Sequence, residues 1–195
     1  MKFVSIAEED GRVWDDGNGT GDGAEWRDSG PSDIEPLRLG DYSTNQGYRT
    51  ILSFDTSSSP EYYKVESAKL QMTRGRLNAA VNPFDWGGTC FIDVGNPYFG
   101  TSTDLEAVDW HAVADANSVA YFEEDPGEDK TMVSTEFNAE GMSSINFDGK
   151  TQLRVYFAIP TLYDGVTDYI GFYSGAYGYY PSYRPQLIIR YTPAD

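Results

Sequence analysis

The sequence predicts an all-β fold, an antiparallel jelly-roll β-sandwich with one short helix. Aromatic residues make up 15% of the 195 residues, and such rings suit a half-buried pleated surface better than a helix. Several segments alternate apolar with polar side chains, which is the period of a strand. The 20 Gly and 10 Pro residues mark frequent turns between these segments.

The strand predictions rest on this alternation. In the segment 47–55, Tyr48, Leu52 and Phe54 fall on one face, and in 186–191 Leu187 and Ile189 do so. The full set of predicted strands is 47–55, 65–72, 89–94, 151–157, 169–173 and 186–191. Turn pairs such as Gly87-Gly88 and Asp148-Gly149 separate them.

One segment, 103–120, has helical spacing instead. Leu105, Val108 and Ala112 recur at intervals of three and four residues. Thr103 is placed to cap the helix, and Glu106 would complete a capping box. A short helix is therefore expected around residues 103–113.

The chain is expected to form a single domain over residues 1–195, with a core from about 13 to 191. A chain of this length buries roughly 70% of its unfolded surface, and no linker or tandem repeat divides it. The first residues, MKFVSIAEEDG, lack the apolar region and cleavage site of a signal peptide. Either the protein is not secreted, or the sequence is a module excised from a larger secreted protein.

The charge is strongly acidic, with 14 Lys and Arg against 31 Asp and Glu, a net −17. Residues 1–35 carry ten acids and three bases, and residues 101–140 carry eleven acids and one base. This balance argues against nucleic acid or an anionic membrane as a partner, because both need a basic patch. No apolar run reaches the ~20 residues that span a bilayer, so membrane insertion is not expected.

Three stretches together resemble a known family. They are 37–56 with 65–70 (LRLGD, YRTILSFDT and VESAKL), 145–155 (INFDGKTQLRV), and 168–175 (DYIGFYSG) followed by RPQLII at 184–189. In this order they are similar to DNRLRE-type β-sandwich domains, which are related to carbohydrate-binding modules of the disaggregatase and polysaccharide-lyase-appended kind. The resemblance implies an extracellular or cell-surface module, joined covalently to other domains, that binds glycans or adheres and has no catalytic residues.

The segment 173–183 departs from the pattern of that family, because it is rich in tyrosines separated by Gly, Ser and Pro. A loop broken by glycines cannot bury all of these rings, and exposed rings suit stacking against the C–H faces of sugars. The predicted carbohydrate-binding residues are Tyr177, Tyr179, Tyr180, Tyr183, Trp86, Asp168 and Arg184, with Gln46 as a further hydrogen-bonding group. The alternatives are a structural cap on the core and a protein-binding patch.

An acidic loop near the N-terminus is the candidate calcium site. Oxygen donors on a flexible backbone are what Ca²⁺ requires, and the predicted ligands are Asp15, Asp16, Asn18, Asp22 and Glu25. The loop is not an EF-hand, because Arg27 stands where a bidentate Glu is needed. A plain solvated turn is the alternative, and the second acidic segment, 123–129, is expected to be a solvated loop.

Catalysis has little support in the sequence. The single His, His111, is accompanied by no nucleophile motif, and the single Cys, Cys90, falls inside a predicted strand. A carboxylate pair for glycoside hydrolysis could exist among the 31 acids. The expected function is therefore a non-catalytic module that binds a polysaccharide or cell-surface glycan. The alternatives are a structural or adhesive module without a sugar site and, less favoured, a hydrolase or lyase.

Overall fold

A computed structural model describes residues 1–15, 31–58 and 63–193 in full and the backbone of residues 24–27. Twelve strands occur in this part of the chain. They are β1 (Lys2–Val4), β2 (Gly11–Trp14), β3 (Ala24–Arg27), β4 (Leu37–Tyr42), β5 (Gln46–Asp55), β6 (Tyr63–Ala79), β7 (Cys90–Gly95), β8 (Ala116–Phe122), β9 (Thr131–Val133), β10 (Lys150–Phe157), β11 (Asp168–Phe172) and β12 (Gln186–Pro193). The fold is all-β, as the sequence predicts, and the strand pairings are antiparallel.

The strands form a curled sheet in the order β1-β12-β6-β11-β4-β5-β10-β7-β8. The long strand β6 joins its two parts, because residues 63–71 pair with β12 and residues 74–79 pair with β11. Strands β2 and β9 add to β5 and β6, respectively, and β3 adds to β2. Each of the six predicted strands is confirmed, and β6 extends well beyond the predicted segment.

The main core lies between the two parts of the sheet. Alternate residues of the facing strands fill it, as expected for a half-buried strand. Its fully buried members include Leu37, Leu39, Leu52, Phe54, Leu70, Met72, Ile92, Val94, Leu153, Val155, Ile170, Phe172, Leu187 and Ile189. A second apolar cluster, of Val13, Ile51, Phe99, Leu105, Trp110 and Ala114, lies where the loop before β8 covers β2 and β5.

The helical prediction for 103–113 is only partly confirmed. The structure has a single 3₁₀ turn at Ala107–Trp110, and its capping box joins Glu106 with Asp109 rather than Thr103 with Glu106. The predicted apolar stripe also fails, because Val108 is 38% exposed. The end of the segment with helical spacing, residues 116–120, instead belongs to strand β8. Val119, Ala120 and the following Phe122 are buried in the main core.

Two short helices were not predicted. These are α1 (Pro83–Trp86), capped by the Asn82 side chain, and α2 (Ala139–Ser143), capped by the Asn138 side chain. A further 3₁₀ turn, Pro181–Tyr183, precedes β12. No helix in the described ranges is both long and apolar enough to span a membrane.

Candidate functional site

The predicted tyrosines lie together in the segment that connects β11 to β12. Five rings are in contact there, and we call them the tyrosine cluster: Tyr173, Tyr177, Tyr179, Tyr180 and Tyr183. The chain leaves β11 at Phe172, turns through the glycines of the segment, and returns through the 3₁₀ turn at Pro181–Tyr183. The cluster therefore caps one end of β11.

Two rings form the buried floor of the cluster. Tyr173 and Tyr177 are 4% and 6% exposed, and their ring centroids lie 4.2 Å apart. The Tyr173 hydroxyl donates a hydrogen bond to the Asp129 carboxylate. Burial, together with that carboxylate, raises the pKa of Tyr173, so its phenol is protonated and acts as the donor. The floor is thus a fixed base for the outer rings.

The outer rings face solvent. Tyr179 and Tyr180 are 68% and 57% exposed, and Tyr183 is half-buried beside them. The ring of Tyr179 lies 5.9 Å from that of Tyr177, and the ring of Tyr180 lies 5.1 Å from that of Tyr183. Large rings that remain exposed on a supported surface are available for contact with a ligand.

Three hydrogen bonds hold this loop in place. The backbone N–H of Gly175 donates to the buried carboxylate of Asp10 at 2.9 Å, and that of Gly178 donates to the carbonyl of Pro31 at 2.9 Å. Nε of Arg184 donates to the carbonyl of Tyr177 at 2.8 Å. Two of these bonds tie the loop to other segments, and the third joins the end of the loop to its middle.

Tyr177 and Arg184 have different roles from those that the sequence suggests. Tyr177 is too deeply buried to offer a ring face to a ligand, and its ring is parallel to that of Tyr183, 6.2 Å away. Arg184 is half-buried and uses Nε to hold the loop. Both residues support the exposed rings of Tyr179 and Tyr180.

Asp168 and Trp86 do not belong to this surface. Asp168 begins β11, whereas Tyr173 follows its last residue, so the two lie at opposite ends of the strand. Asp168 is fully buried, and its Oδ1 accepts hydrogen bonds from the backbone N–H groups of Ala80 and Val81. Trp86 lies on α1 and packs against Phe157, with ring centroids 6.5 Å apart. Asp168 and Trp86 are therefore not placed to contact a sugar that is bound at the tyrosine cluster.

Gln46 also lies away from the tyrosine cluster. It pairs with Tyr42 in the β4–β5 hairpin, whose β4 end carries Asp41 opposite Asp168. Its Oε1 accepts a hydrogen bond from the Thr44 hydroxyl at 2.7 Å. This contact stabilises the hairpin turn.

The predicted calcium ligands fall mostly outside the described residues. Asp16, Asn18 and Asp22 lie there, as does the side chain of Glu25, while Asp15 is described and is 3% exposed. Within the fully described ranges, no three acidic, His or Cys side chains are gathered as a metal site. Calcium binding by this loop stays a prediction.

The single Cys and the single His lie on different elements of the fold. Cys90 is fully buried in β7, and burial raises the pKa of its thiol, which disfavours the thiolate. His111 is exposed at the end of the 3₁₀ turn Ala107–Trp110. The buried thiol fits the small core residue that the strand pattern predicts.

A second aromatic surface was missed by the sequence reasoning. Tyr156 of β10, Phe91 of β7 and Tyr121 of β8 are cross-strand neighbours and form a row over three adjacent strands. Beside the row lies an open groove of about 700 Å³. It is lined by Phe84, Gly88, Thr89, Phe91, Tyr121, Phe122 and Glu123. The signal was available, because Phe91 alternates with the buried Cys90 and Ile92 and must therefore point outward.

A comparison with models of protein families gives no match to this chain, and a comparison with curated proteins also gives none.

Proposed function

We propose that the protein is a non-catalytic carbohydrate-binding module, and that Tyr179 and Tyr180 form its ligand-stacking surface. The observation that carries the proposal is the exposure of these two rings, 68% and 57%, on a floor of buried tyrosines. The family resemblance of the sequence agrees with it. The resemblance also suggests that the protein is extracellular or at the cell surface and is covalently joined to other domains.

The chemistry of the cluster fits a polyhydroxylated ligand. The face of a phenol ring can pack against the apolar C–H face of a pyranose, and its hydroxyl can exchange hydrogen bonds with sugar hydroxyls. Tyr has few rotatable bonds, so little conformational entropy is lost when a ligand immobilises the ring. The rings of Tyr177 and Tyr183 restrict the outer rings further.

The charge of the protein narrows the class of glycan. The chain carries a net −17, and Asp129 lies directly against the cluster through Tyr173. A polyanionic glycan such as a uronate polymer would be repelled at low ionic strength, unless a bridging cation were bound with it. Neutral and amino-sugar polysaccharides are therefore the favoured ligands.

Binding assays with single-site variants test the proposal. The wild type and the Tyr179→Ala and Tyr180→Ala variants are compared on a panel of soluble and insoluble neutral, cationic and uronate polysaccharides. Loss of a stacked ring at the centre of a small site costs upwards of about 1.4 kcal/mol, so the affinity should fall at least about tenfold. The melting temperature should hardly change, because both rings are exposed.

Tyr63→Ala is the matched control. Tyr63 is also exposed, at 47%, but it begins β6, whereas Tyr173 contacts Thr73, ten residues further along that strand. The control should bind as the wild type does. Absence of binding to every polysaccharide, or binding that both ring variants retain, would contradict the proposed site. Concentration-dependent self-association without glycan would instead favour the structural or adhesive module.

A further inference from the structure

Two buried carboxyl groups meet at the other end of β11. Asp41 and Asp168 are direct cross-strand partners in the ladder between β4 and β11. The pairs next to them on the same face, Leu39 with Ile170 and Leu37 with Phe172, belong to the main core. Directly opposed side chains of an antiparallel pair have Cβ atoms roughly 5 Å apart. The two side chains thus lie next to each other on the same face, at the edge of the core.

Each carboxyl group uses one oxygen and leaves the other unpaired. Oδ2 of Asp41 accepts the backbone N–H of Leu162 at 2.8 Å, and the Thr161 hydroxyl also hydrogen-bonds to this carboxyl group. Oδ1 of Asp168 accepts the backbone N–H groups of Ala80 and Val81 at 2.5 and 2.8 Å. Asp41 Oδ1 and Asp168 Oδ2 are buried and have no hydrogen-bond partner among the described residues, and the side chains are 1% and 0% exposed.

Among the described residues, the elements around the two carboxyl groups supply no positive charge to them. The end of β6 contributes the two backbone amides, and the loop after β10 contributes the Thr161 hydroxyl, the Leu162 amide and the negative charge of Asp164. Arg38, the basic residue of β4, points to the opposite face, where its guanidinium lies 4.1 Å from the Tyr169 ring centroid. In the described part of the chain, neither carboxylate forms an ion pair.

Two adjacent buried charges of the same sign are costly without a compensating group. We propose that Asp41 and Asp168 share one proton between Asp41 Oδ1 and Asp168 Oδ2 at neutral pH. The pair then carries a single negative charge, and the two unpaired oxygens become donor and acceptor of one hydrogen bond. Burial raises the pKa of Asp41, and the charge of Asp168 raises it further, which agrees with this arrangement.

The shared proton links folding to pH. In the unfolded chain both carboxyl groups ionise near pH 4, so folding at neutral pH takes up one proton from solvent. The stability that the pair contributes is fully present below the unfolded pKa. It is lost as the pH rises through the raised pKa of Asp41, because a second carboxyl group must then ionise while buried.

Isosteric amide variants test the proposal, because Asn reproduces a protonated Asp. In Asp168→Asn, Oδ1 can still accept from Ala80 and Val81, and the new NH₂ group replaces the unpaired oxygen and donates to Asp41. Asp41→Asn places its NH₂ group opposite Asp168 in the same way. Each single variant should melt at the wild-type temperature or up to a few degrees higher at pH 8, with a weaker pH dependence between pH 5 and 8.

The melting temperature of the double variant, compared with those of the single variants, shows whether the two sites are coupled. Two facing NH₂ groups provide no acceptor for each other, so Asp41→Asn/Asp168→Asn should melt several degrees below both single variants. Additive effects in this double-mutant cycle would contradict a shared proton, because uncoupled sites add. Asp164→Asn is the matched control, since it removes one negative charge from the loop after β10. The melting temperature of this variant should depend on pH as that of the wild type does.

A bound metal ion predicts the opposite result. If Ca²⁺ or Mg²⁺ lay between the two oxygens, each single variant would lose a ligand and melt below the wild type. The wild type would also melt lower after treatment with EDTA and recover when either metal is added. Either result would overturn the proposal. The readout is the melting temperature of the full chain and requires no glycan, so it is independent of the proposed function.

Discussion

Arg154 and Asp93 form a buried ion pair across β10 and β7, with Nη2 of Arg154 2.7 Å from Oδ2 of Asp93. Their side chains are 5% and 1% exposed. Nη1 of Arg154 also donates to the carbonyls of Asp109 and Ala112, each at 2.8 Å. The guanidinium therefore holds the loop around the 3₁₀ turn Ala107–Trp110 against the sheet.

Removing the charge of Arg154 should strongly destabilise the protein. In Arg154→Met the carboxylate of Asp93 stays buried without its partner, and the loop carbonyls lose their donor. Loss of one member of a buried pair costs about 3–5 kcal/mol. Urea unfolding measures the effect as a lower midpoint. As the control, Arg190→Met removes the exposed pair of Arg190 with Glu66, where the side chains are 73% and 48% exposed, and should cost less than about 1 kcal/mol. Equal effects of the two variants would contradict the importance of burial.

Asp10 should respond to amide substitution in the opposite sense from Asp168. Both of its oxygens accept hydrogen bonds, Oδ1 from the N–H of Ser53 and Oδ2 from the Ser5 hydroxyl and the N–H of Gly175. A protonated Oδ2 can donate to the Ser5 hydroxyl and still accept from the N–H of Gly175, because a hydroxyl both donates and accepts. The NH₂ nitrogen of an Asn accepts no hydrogen bond, so it leaves at least one of these backbone donors unpaired. Asp10→Asn should therefore lower the free energy of unfolding by about 1–3 kcal/mol. A variant as stable as the wild type in urea would contradict this.

The pH dependence of Asp10 has a definite sign. Burial raises its pKa from 3.8 to about 7, and its hydrogen bonds only partly oppose this. The folded state therefore retains a proton that the unfolded chain releases. The stability from this group is fully present below pH 3.8 and is lost as the pH rises through about 7. Urea titrations from pH 5 to 8.5 give the free energy of unfolding of the wild type and of Asp10→Asn. The amount by which the wild type is more stable should shrink as the pH rises over this range. A difference that grows would contradict the raised pKa.

Gly40 is a position where a side chain should not be tolerated. Its φ is +111°, and a Cβ atom built there would lie 2.2 Å from the carbonyl oxygen of Asp168. Gly40→Ala should therefore separate β4 from β11 and lower the melting temperature by many degrees. Gly88→Ala is the control for backbone strain alone, because its φ is +71° but its nearest atom would be 3.5 Å away. We expect about 1 kcal/mol for the control. Similar losses in both variants would assign the effect to φ and not to the close approach of the strands.

Calcium binding by the N-terminal acidic loop is tested by thermal unfolding in calcium and in EDTA. If the loop binds Ca²⁺ in the folded protein only, the melting temperature should rise with calcium concentration. Asp16→Asn/Asp22→Asn should remove that rise, whereas Glu123→Gln, in the second acidic segment, should retain it. A melting temperature that is the same in calcium and in EDTA would contradict the predicted site.

The sequence predicts the strands well because burial imposes period two on them. In β5 and β12 the alternating apolar residues, such as Leu52, Phe54, Leu187 and Ile189, are those that the core contains. The helical spacing at 103–113 misled because spacing alone does not show which residues have a surface to pack on. Leu105 and Trp110 are buried against Val13 and Ile51 of the sheet. Val113, which precedes β8 in the chain, has no such surface to pack on and is 91% exposed.

The candidate site was only partly predictable, for a similar reason. The Gly-broken tyrosine segment indicates exposed rings, and Tyr179 and Tyr180 are indeed exposed. Which tyrosines form the floor depends on contacts from distant segments, such as Asp129 with Tyr173 and Pro31 with Gly178. The pairing of Asp41 with Asp168 likewise depends on strand register, which joins residues 127 positions apart and has no local signal.

The shared strand β6 has a mechanical consequence. Because its first half pairs with β12 and its second half with β11, either part of the sheet can separate from the other only by losing hydrogen bonds to this one strand. The backbone amide protons of residues 65–78 should consequently exchange with deuterium together, and later than those of the other strands. Limited proteolysis should detect no partly unfolded intermediate in which only one part of the sheet is lost. Tension applied through the two chain ends would reach β12 through residues 186–193 and load β6 directly, so resistance to pulling should concentrate in this one strand.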